Sequence, residues 1–239
     1  MSNKSNLQLW KSLEKTDPSY TKSYNAGGTS GTSITGAYFV MRATEAFGPI
    51  GKGWGYEVEE ERRDQGYPIG VEGDGVTPIY MLTHTIKLKL WVKIDDERCE
   101  VSHYGHTPYL YKSRKGDYIL DQEAPKKSLT DAIKKCLSMF GIGGDIFLGM
   151  FDDAQYVQEV REDFEIEKSD DKVAAKLEAK QRYEESKAKS IAAIDKAVTM
   201  PELEAIYVEI IRKAKRQNDE QGIMTITKAK DKRKAEMSK

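Results

Sequence analysis

The strongest pattern in the chain runs from Ile79 to Ile94. Tyr80, Leu82, His84, Ile86, Leu88, Leu90, Val92 and Ile94 fall on one face, and Met81, Thr83, Thr85, Lys87, Lys89, Trp91 and Lys93 on the other. Period two over so long a run predicts a strand with one buried and one mixed face. Asp95-Asp96-Glu97-Arg98 reads as its turn, and Cys99–His106 as an antiparallel partner. Upstream, Trp54–Arg63 reads as a strand, and Gly66–Gly75, with its four glycines and one proline, as a turn or hairpin loop. The period then changes. Leu129, Ala132, Ile133, Cys136, Leu137 and Phe140 recur at helical spacing, with Pro125 in the first turn and Gly141 at the stop. Strands followed by a packed helix predict an α+β fold: a curved antiparallel β-meander packed by a long helix.

The flanks add smaller elements. Asn6–Leu13 reads as a short amphipathic helix using Leu9, Trp10 and Leu13. Gly27-Gly28-Thr29-Ser30-Gly31-Thr32 reads as a flexible loop, and Thr35 as the cap of a helix that runs through Phe47 to Gly48-Pro49. Near the C-terminus, Thr199-Met200-Pro201-Glu202 matches a capping box. Leu203, Ile206, Tyr207, Ile210, Ile211 and Ala214 follow as an apolar stripe, against which Ile191, Ile194 and Val198 can pack. Gly222 precedes a short basic final helix, so a small C-terminal helical bundle of about three helices is expected.

Composition separates the two parts. Residues 165–239 hold 18 basic and 15 acidic residues but only two aromatics, Tyr183 and Tyr207; the other 20 aromatics precede them. The stretch from Asp152 to Lys172 has nine acids against three bases, which suits a linker or an exposed helix. The expected organisation is therefore a core over 1–160, an acidic linker over 161–172 and a helical region over 173–239.

Several function classes fall away. No apolar run of about 18 residues is present, so no transmembrane helix is expected. Met1-Ser2-Asn3-Lys4 leads into a polar stretch without a secretory core, and two cysteines, Cys99 and Cys136, suit a reducing compartment, so a cytoplasmic location is expected. The Walker pattern fails, since Gly51-Lys52 is followed by Gly53 and position 46 is Ala46. Cys99, His103 and His106 lack an evident fourth partner, and period two puts His106 on the opposite face from the other two, so no metal site is expected. Asp152-Asp153 reads as a solvated acidic turn rather than a nuclease centre. No catalytic residue and no cofactor are expected.

With 38 basic and 39 acidic residues, any nucleic-acid binding must come from a local patch. One candidate lies between Lys112 and Lys135: Lys112, Arg114, Lys115, Lys126, Lys127, Lys134 and Lys135, interrupted by Asp117, Asp121, Glu123 and Asp131. Tyr109, Tyr111 and Tyr118 sit beside the first cluster. Lysine and arginine neutralise phosphates, and aromatic faces stack on unpaired bases. By composition alone such a segment also reads as an ordinary solvated helix face.

The segment Lys127-Ser128-Leu129-Thr130-Asp131-Ala132-Ile133-Lys134-Lys135-Cys136-Leu137-Ser138-Met139-Phe140-Gly141 resembles the signature helix of the Rad-fifty-two-like single-strand annealing proteins. Asp17-Pro18-Ser19-Tyr20 with Ala26-Gly27-Gly28, then Ala43–Gly55, then the long strand with its Val101–Gly105 return, resemble other parts of that family in the same order. The phage-type branch, Erf-like and Red-beta-like, is the most similar. The resemblance implies ATP-independent binding of single-stranded DNA and annealing of complementary strands in recombination and repair, by a ring or helical homo-oligomer. A phage-encoded protein would act in the bacterial host cytoplasm. The resemblance places Lys134 and Lys135 on the phosphate backbone, and Lys127 on the same helix. Lys112, Arg114 and Lys115 fall between meander and helix, and one of Lys22 and Tyr24 lies near the strand. It also implies that the C-terminal region recruits a partner exonuclease or a host single-strand binding protein. The alternative is a passive single-stranded nucleic-acid binder that does not anneal.

Overall fold

The computed structural model describes residues 6–26 and 28–238; the Met1–Lys4 opening and Gly27 of the glycine-rich stretch lie outside them. The chain divides into two compact units, Met1–Arg161 and Glu162–Lys239.

The first unit begins with helix α1 (Gln8–Leu13), followed by strands β1 (Thr21–Ala26) and β2 (Thr29–Ile34) and helix α2 (Gly36–Phe47). A four-stranded sheet follows: β3 (Trp54–Val71), β4 (Pro78–Ile94), β5 (Glu97–Lys112) and the short β6 (Tyr118–Leu120). Its order is β3-β4-β5-β6, an antiparallel meander. Helices α3 (Ala124–Ser138), α4 (Gly144–Phe147) and the first half of α5 (Ala154–Lys168) complete the unit. The fold is α+β, as the two sequence periods require.

The β4 alternation holds. Ile86, Leu88, Leu90 and Val92 are buried, and they join Trp54, Tyr38, Phe39, Ala132, Cys136 and Leu137 in one core. Burying each large apolar side chain contributes about 1.5–3 kcal/mol, so this shared core fixes α3 to one face of the sheet. One glycine lets α3 approach the sheet and another lets α2 approach α3. A Cβ at Gly105 of β5 would lie 1.9 Å from the Ser128 carbonyl oxygen of α3, and one at Gly36 would lie 2.6 Å from Thr130 Cγ2. The sheet also curls at its far end. The Tyr118 hydroxyl of β6 sits against Gly70 of β3, across the two intervening strands, where a Cβ would lie 1.7 Å from it.

In this unit four expectations need correction. Of the loop expected over Gly27–Thr32, Thr29–Thr32 belong to strand β2, paired with β1 from Thr21↔Ile34 to Ala26↔Thr29. Strand β3 does not stop at Arg63 but runs to Val71, so the loop expected over Gly66–Gly75 shrinks to a turn. Register shifts between Val58 and Glu60 and again around Pro68 break period two there, which hides the strand. The return strand likewise extends beyond His106 to Lys112. Thr35 stands at the N-cap of α2 but its side chain makes no capping hydrogen bond.

The second unit contains the end of α5 with α6 (Lys172–Lys196), α7 (Met200–Arg216) and α8 (Glu220–Met237). Ile194, Leu203, Ile210, Ile211, Ala214 and Ile226 form its buried core. Glu202 N–H donates to Thr199 Oγ1, and the Glu202 carboxylate accepts from Val198 N–H at 2.8 Å, which starts α7. Val198 itself is 77% exposed and does not join the core. Gly222 lies inside α8, which spans 18 residues and is not short. The acidic stretch 161–172 is helical up to Lys168 and then supplies Asp171, whose side chain caps α6. No helix among the described residues is long and apolar enough to cross a membrane.

Candidate nucleic-acid interface

Helix α3 carries the central pair of candidates. Consecutive helical residues point about 100° apart, so neighbours in sequence do not share a face. Lys134 turns toward α2, with its Nζ 5.8 Å from the centroid of the Phe39 ring. Lys135 turns toward the sheet, with its Nζ 2.7 Å from Asp131 Oδ2 and 3.3 Å from the Tyr104 carbonyl oxygen. The twin lysines therefore occupy opposite flanks of the helix and have unlike surroundings.

Their charges are also treated differently. Lys135 has a carboxylate partner four residues back, a pair of a kind worth roughly 0.3–0.5 kcal/mol on a helix surface. Among the described residues Lys134 enters no ion pair, and burial holds its ammonium below the usual lysine range. Desolvating a cation beside an aromatic face without a counter-charge costs stability. The Asp131 carboxylate offsets part of that cost through its field.

Lys22 and Tyr24 lie on β1, two residues apart and so on the same face of the β1–β2 hairpin. Both are exposed. The Tyr24 ring lies over Gly31 of β2, where an added Cβ would come within 2.9 Å of its hydroxyl. The hairpin base is tied to α2: Thr35 N–H donates to the Tyr20 carbonyl, and the Tyr20 and Tyr38 rings stack at 4.9 Å. Phe39, beneath Lys134, is the next residue, so hairpin and lysine share one support.

The remaining candidates gather at the other end of the sheet. Lys112 places its Nζ 5.4 Å from the Tyr118 ring centroid. Arg114 and Lys115 are exposed in the Ser113–Gly116 turn, closed by Gly116 N–H to the Ser113 carbonyl, and neither enters an ion pair among the described residues. Lys127, in the first half of α3, is held 2.6 Å from Asp121 Oδ2. That contact raises the lysine and lowers the carboxylate from their usual values. The eight residues thus form three groups: the hairpin pair, the β5–β6 end with Lys127, and the two flanks of α3.

The outer sheet face is different. Glu59 lies 3.0 Å from Lys87 and 2.9 Å from Lys89, and both lysines, Lys89 first, hold its carboxyl below the usual range. Arg62 bridges Glu60 and Asp64 at 2.6 and 2.7 Å. These cations are neutralised locally, so they add little net attraction for a polyanion.

Phe39 escaped the sequence reading, and Asp131 and Gly105 entered it without the contacts that shape the site. Asp131 was countable as an acid four residues before Lys135, the spacing of a helical ion pair. The histidines have structural partners: His106 Nδ1 lies 3.0 Å from Thr85 Oγ1, and His103 Nδ1 accepts from Tyr104 N–H at 2.9 Å. Among the described residues no group of three His, Cys, Asp or Glu side chains is placed to hold a metal ion. Asp153 Oδ1 accepts the N–H groups of Gln155 and Tyr156, at the start of α5.

No curated protein and no solved structure matched the chain. A family model described as Rad52/22 family double-strand break repair protein matches residues 6–163, well over half of the chain and including every candidate residue above. The meander, the helix laid across it and the half-buried Lys134 lie within that span, and the chain belongs to the Rad52/22 family of double-strand break repair proteins.

Proposed function

We propose that this chain binds single-stranded DNA through the Lys134 flank of α3 and the adjacent Lys22–Tyr24 hairpin, and anneals complementary strands without ATP. The observation that carries the reading is Lys134, a half-buried cation in no ion pair among the described residues. A phosphate supplies the missing charge. Tyr24, on the same hairpin face as Lys22, offers a ring on which a base can stack, a contact worth about 1–3 kcal/mol in single-strand binders. Base pairing then selects sequence, so the protein needs only to hold one strand extended and reduce phosphate repulsion.

On this reading the chain is not an enzyme and uses no cofactor. It works as a homo-oligomer of the phage type, because repeating a weak site along one strand raises binding through effective concentration. Lys112, Arg114, Lys115 and Lys127 extend the phosphate path at the far end of the sheet. The C-terminal bundle serves as the region that recruits a partner nuclease or single-strand binding protein in the cytoplasm.

The test mixes complementary labelled oligonucleotides with the full chain, without nucleotide, and follows duplex formation by energy transfer. Acceleration over the protein-free rate is expected, with no cleavage when magnesium is added. Binding without acceleration would replace annealing by passive protection, and binding unaffected by salt would remove the phosphate contacts themselves.

A further inference from the structure

Asp131 stands at the junction between α3 and the free edge of β5. One oxygen, Oδ2, accepts the backbone N–H of His106 at 3.2 Å and the ammonium of Lys135 at 2.7 Å. The same ammonium reaches the Tyr104 carbonyl at 3.3 Å. A carboxylate, a lysine and two backbone groups therefore form a bracket from helix to strand. Residues 104 and 106 direct their polar backbone groups to the same side of β5, and the bracket satisfies one from each. His103 Nδ1 takes the Tyr104 N–H at 2.9 Å, and Pro108 has no N–H to offer.

The arrangement has an electrical side. Asp131 neutralises Lys135, and its field also reaches Lys134. Lys135 and Asp131 are each 37% exposed, so water and ions reach the pair and a phosphate can compete for the lysine. Among the described residues Lys134 has no such ion-pair partner. Of two adjacent lysines, one is available at once and the other is held by a weak, reversible contact.

We propose that Asp131 is a positioning residue that sets the strength of the DNA grip by holding Lys135 on the edge of β5. The inference rests on the reading that α3 contacts DNA. With Asp131 in place, Lys135 contributes little to holding a strand, which keeps the strand releasable once it has paired. Without the negative charge, Lys135 becomes a further phosphate contact.

The experiment measures binding of the full chain to a fluorescent oligothymidylate by anisotropy over a series of salt concentrations. Asp131→Asn keeps an oxygen for the His106 N–H and removes the charge. The expected result is tighter binding at low salt and a log–log salt slope steeper by about 0.7, the value of one added phosphate contact on a single strand. In a Lys135→Ala background the same change should leave the slope where it was. That second arm separates action through Lys135 from a general loss of negative charge, which would tighten binding in both backgrounds. Circular dichroism and melting temperature of each variant show whether the fold is kept; a structural role moves these and leaves the slope alone. An unchanged slope in a folded Asp131→Asn protein, or an equal gain without Lys135, overturns the inference and leaves the binding reading intact. Failure of the unaltered chain to bind in a salt-dependent way overturns both.

Discussion

The Lys134 ammonium lies 5.8 Å from the centre of the Phe39 ring, on the flank of α3 that faces α2. The ring favours a cation, yet burial still holds the lysine below its ordinary range. A phosphate restores that balance, so Lys134→Ala should weaken single-strand binding by about tenfold, the scale of one charge-assisted hydrogen bond. The salt slope should fall by about 0.7. Anisotropy titrations at three or more salt concentrations measure both. An unaltered slope would place the strand elsewhere.

The same lysine should limit stability in the absence of DNA. Its folded value is lowered, so the folded state binds the proton less well than the unfolded chain does. Stability therefore rises with pH through the window from the lowered value up to the ordinary lysine value. Lys134→Met should raise the melting temperature at neutral pH, and its advantage should fade as pH climbs toward the ordinary lysine range. Thermal unfolding of both proteins across alkaline pH measures the gap. A destabilised Lys134→Met at neutral pH would show that the lysine is held by contacts stronger than its desolvation.

Gly105 predicts a packing outcome. A Cβ there would meet the Ser128 carbonyl at 1.9 Å and the Ala132 nitrogen at 2.7 Å, and both are helix backbone that cannot swing aside. Gly105→Ala must therefore lift α3 from the sheet, at a cost of about 3 kcal/mol or more. Chemical denaturation should show the loss. Because α3 carries Lys134, DNA affinity should fall as well, although no contacting residue has changed.

Much of this was legible because strong patterns coincide with burial. The alternation along β4 and the stripe on α3 are the residues of the observed core, and the stripe on α7 builds the core of the second unit. Strand β2 was illegible for a physical reason: its Gly, Ser and Thr content is that of a loop, and cross-strand pairing with β1 makes it a strand. In β3 the bulges shift the register, and charged residues occupy most of its middle, so no apolar alternation marks it. At the site, the lysines were visible as charges but their surroundings were not. The helical angle between positions 134 and 135 already separates them, whereas the Phe39 seat depends on α2, nearly a hundred residues earlier in the chain.

In the second unit Asp219 is the group to test. It accepts the Tyr183 hydroxyl at 2.8 Å and the Gly222 N–H at 2.8 Å, and pairs with Lys187 at 2.6 Å. Lys187 first, then the Gly222 N–H, lower its carboxyl to about 2. A lowered acid stabilises the fold above the unfolded value, and that contribution is lost as pH falls through the folded one. Asp219→Ala should remove the cap of α8, worth about 1 kcal/mol, and the link to α6. Bundle unfolding, followed on the full chain by hydrogen exchange of 172–238, should become easier at neutral pH, and the difference should shrink below about pH 4. Strand annealing should be unchanged, since the candidate interface lies wholly in the first unit.

Asp145 gives the opposite sign in the first unit. It is fully buried, and it accepts the Thr16 N–H at 2.8 Å, the Thr16 hydroxyl at 2.7 Å and the Tyr156 hydroxyl at 3.0 Å. It thereby ties the segment after α1 and the start of α5 to α4. Burial outweighs these donors and pushes the carboxyl above its usual value. The neutral acid is favoured in the fold, so its contribution is complete below the unfolded value and declines as pH rises through the folded one. Asp145→Ala should cost about 2–4 kcal/mol by leaving buried donors without an acceptor. That deficit should be largest near about pH 4 and narrow toward pH 7, and a pH series of thermal unfolding curves measures it. Tyr156→Phe should cost about 1 kcal/mol. A deficit that grows with pH would mean that the hydrogen bonds, and not desolvation, govern the carboxyl, and the order of these two effects would have to be reversed.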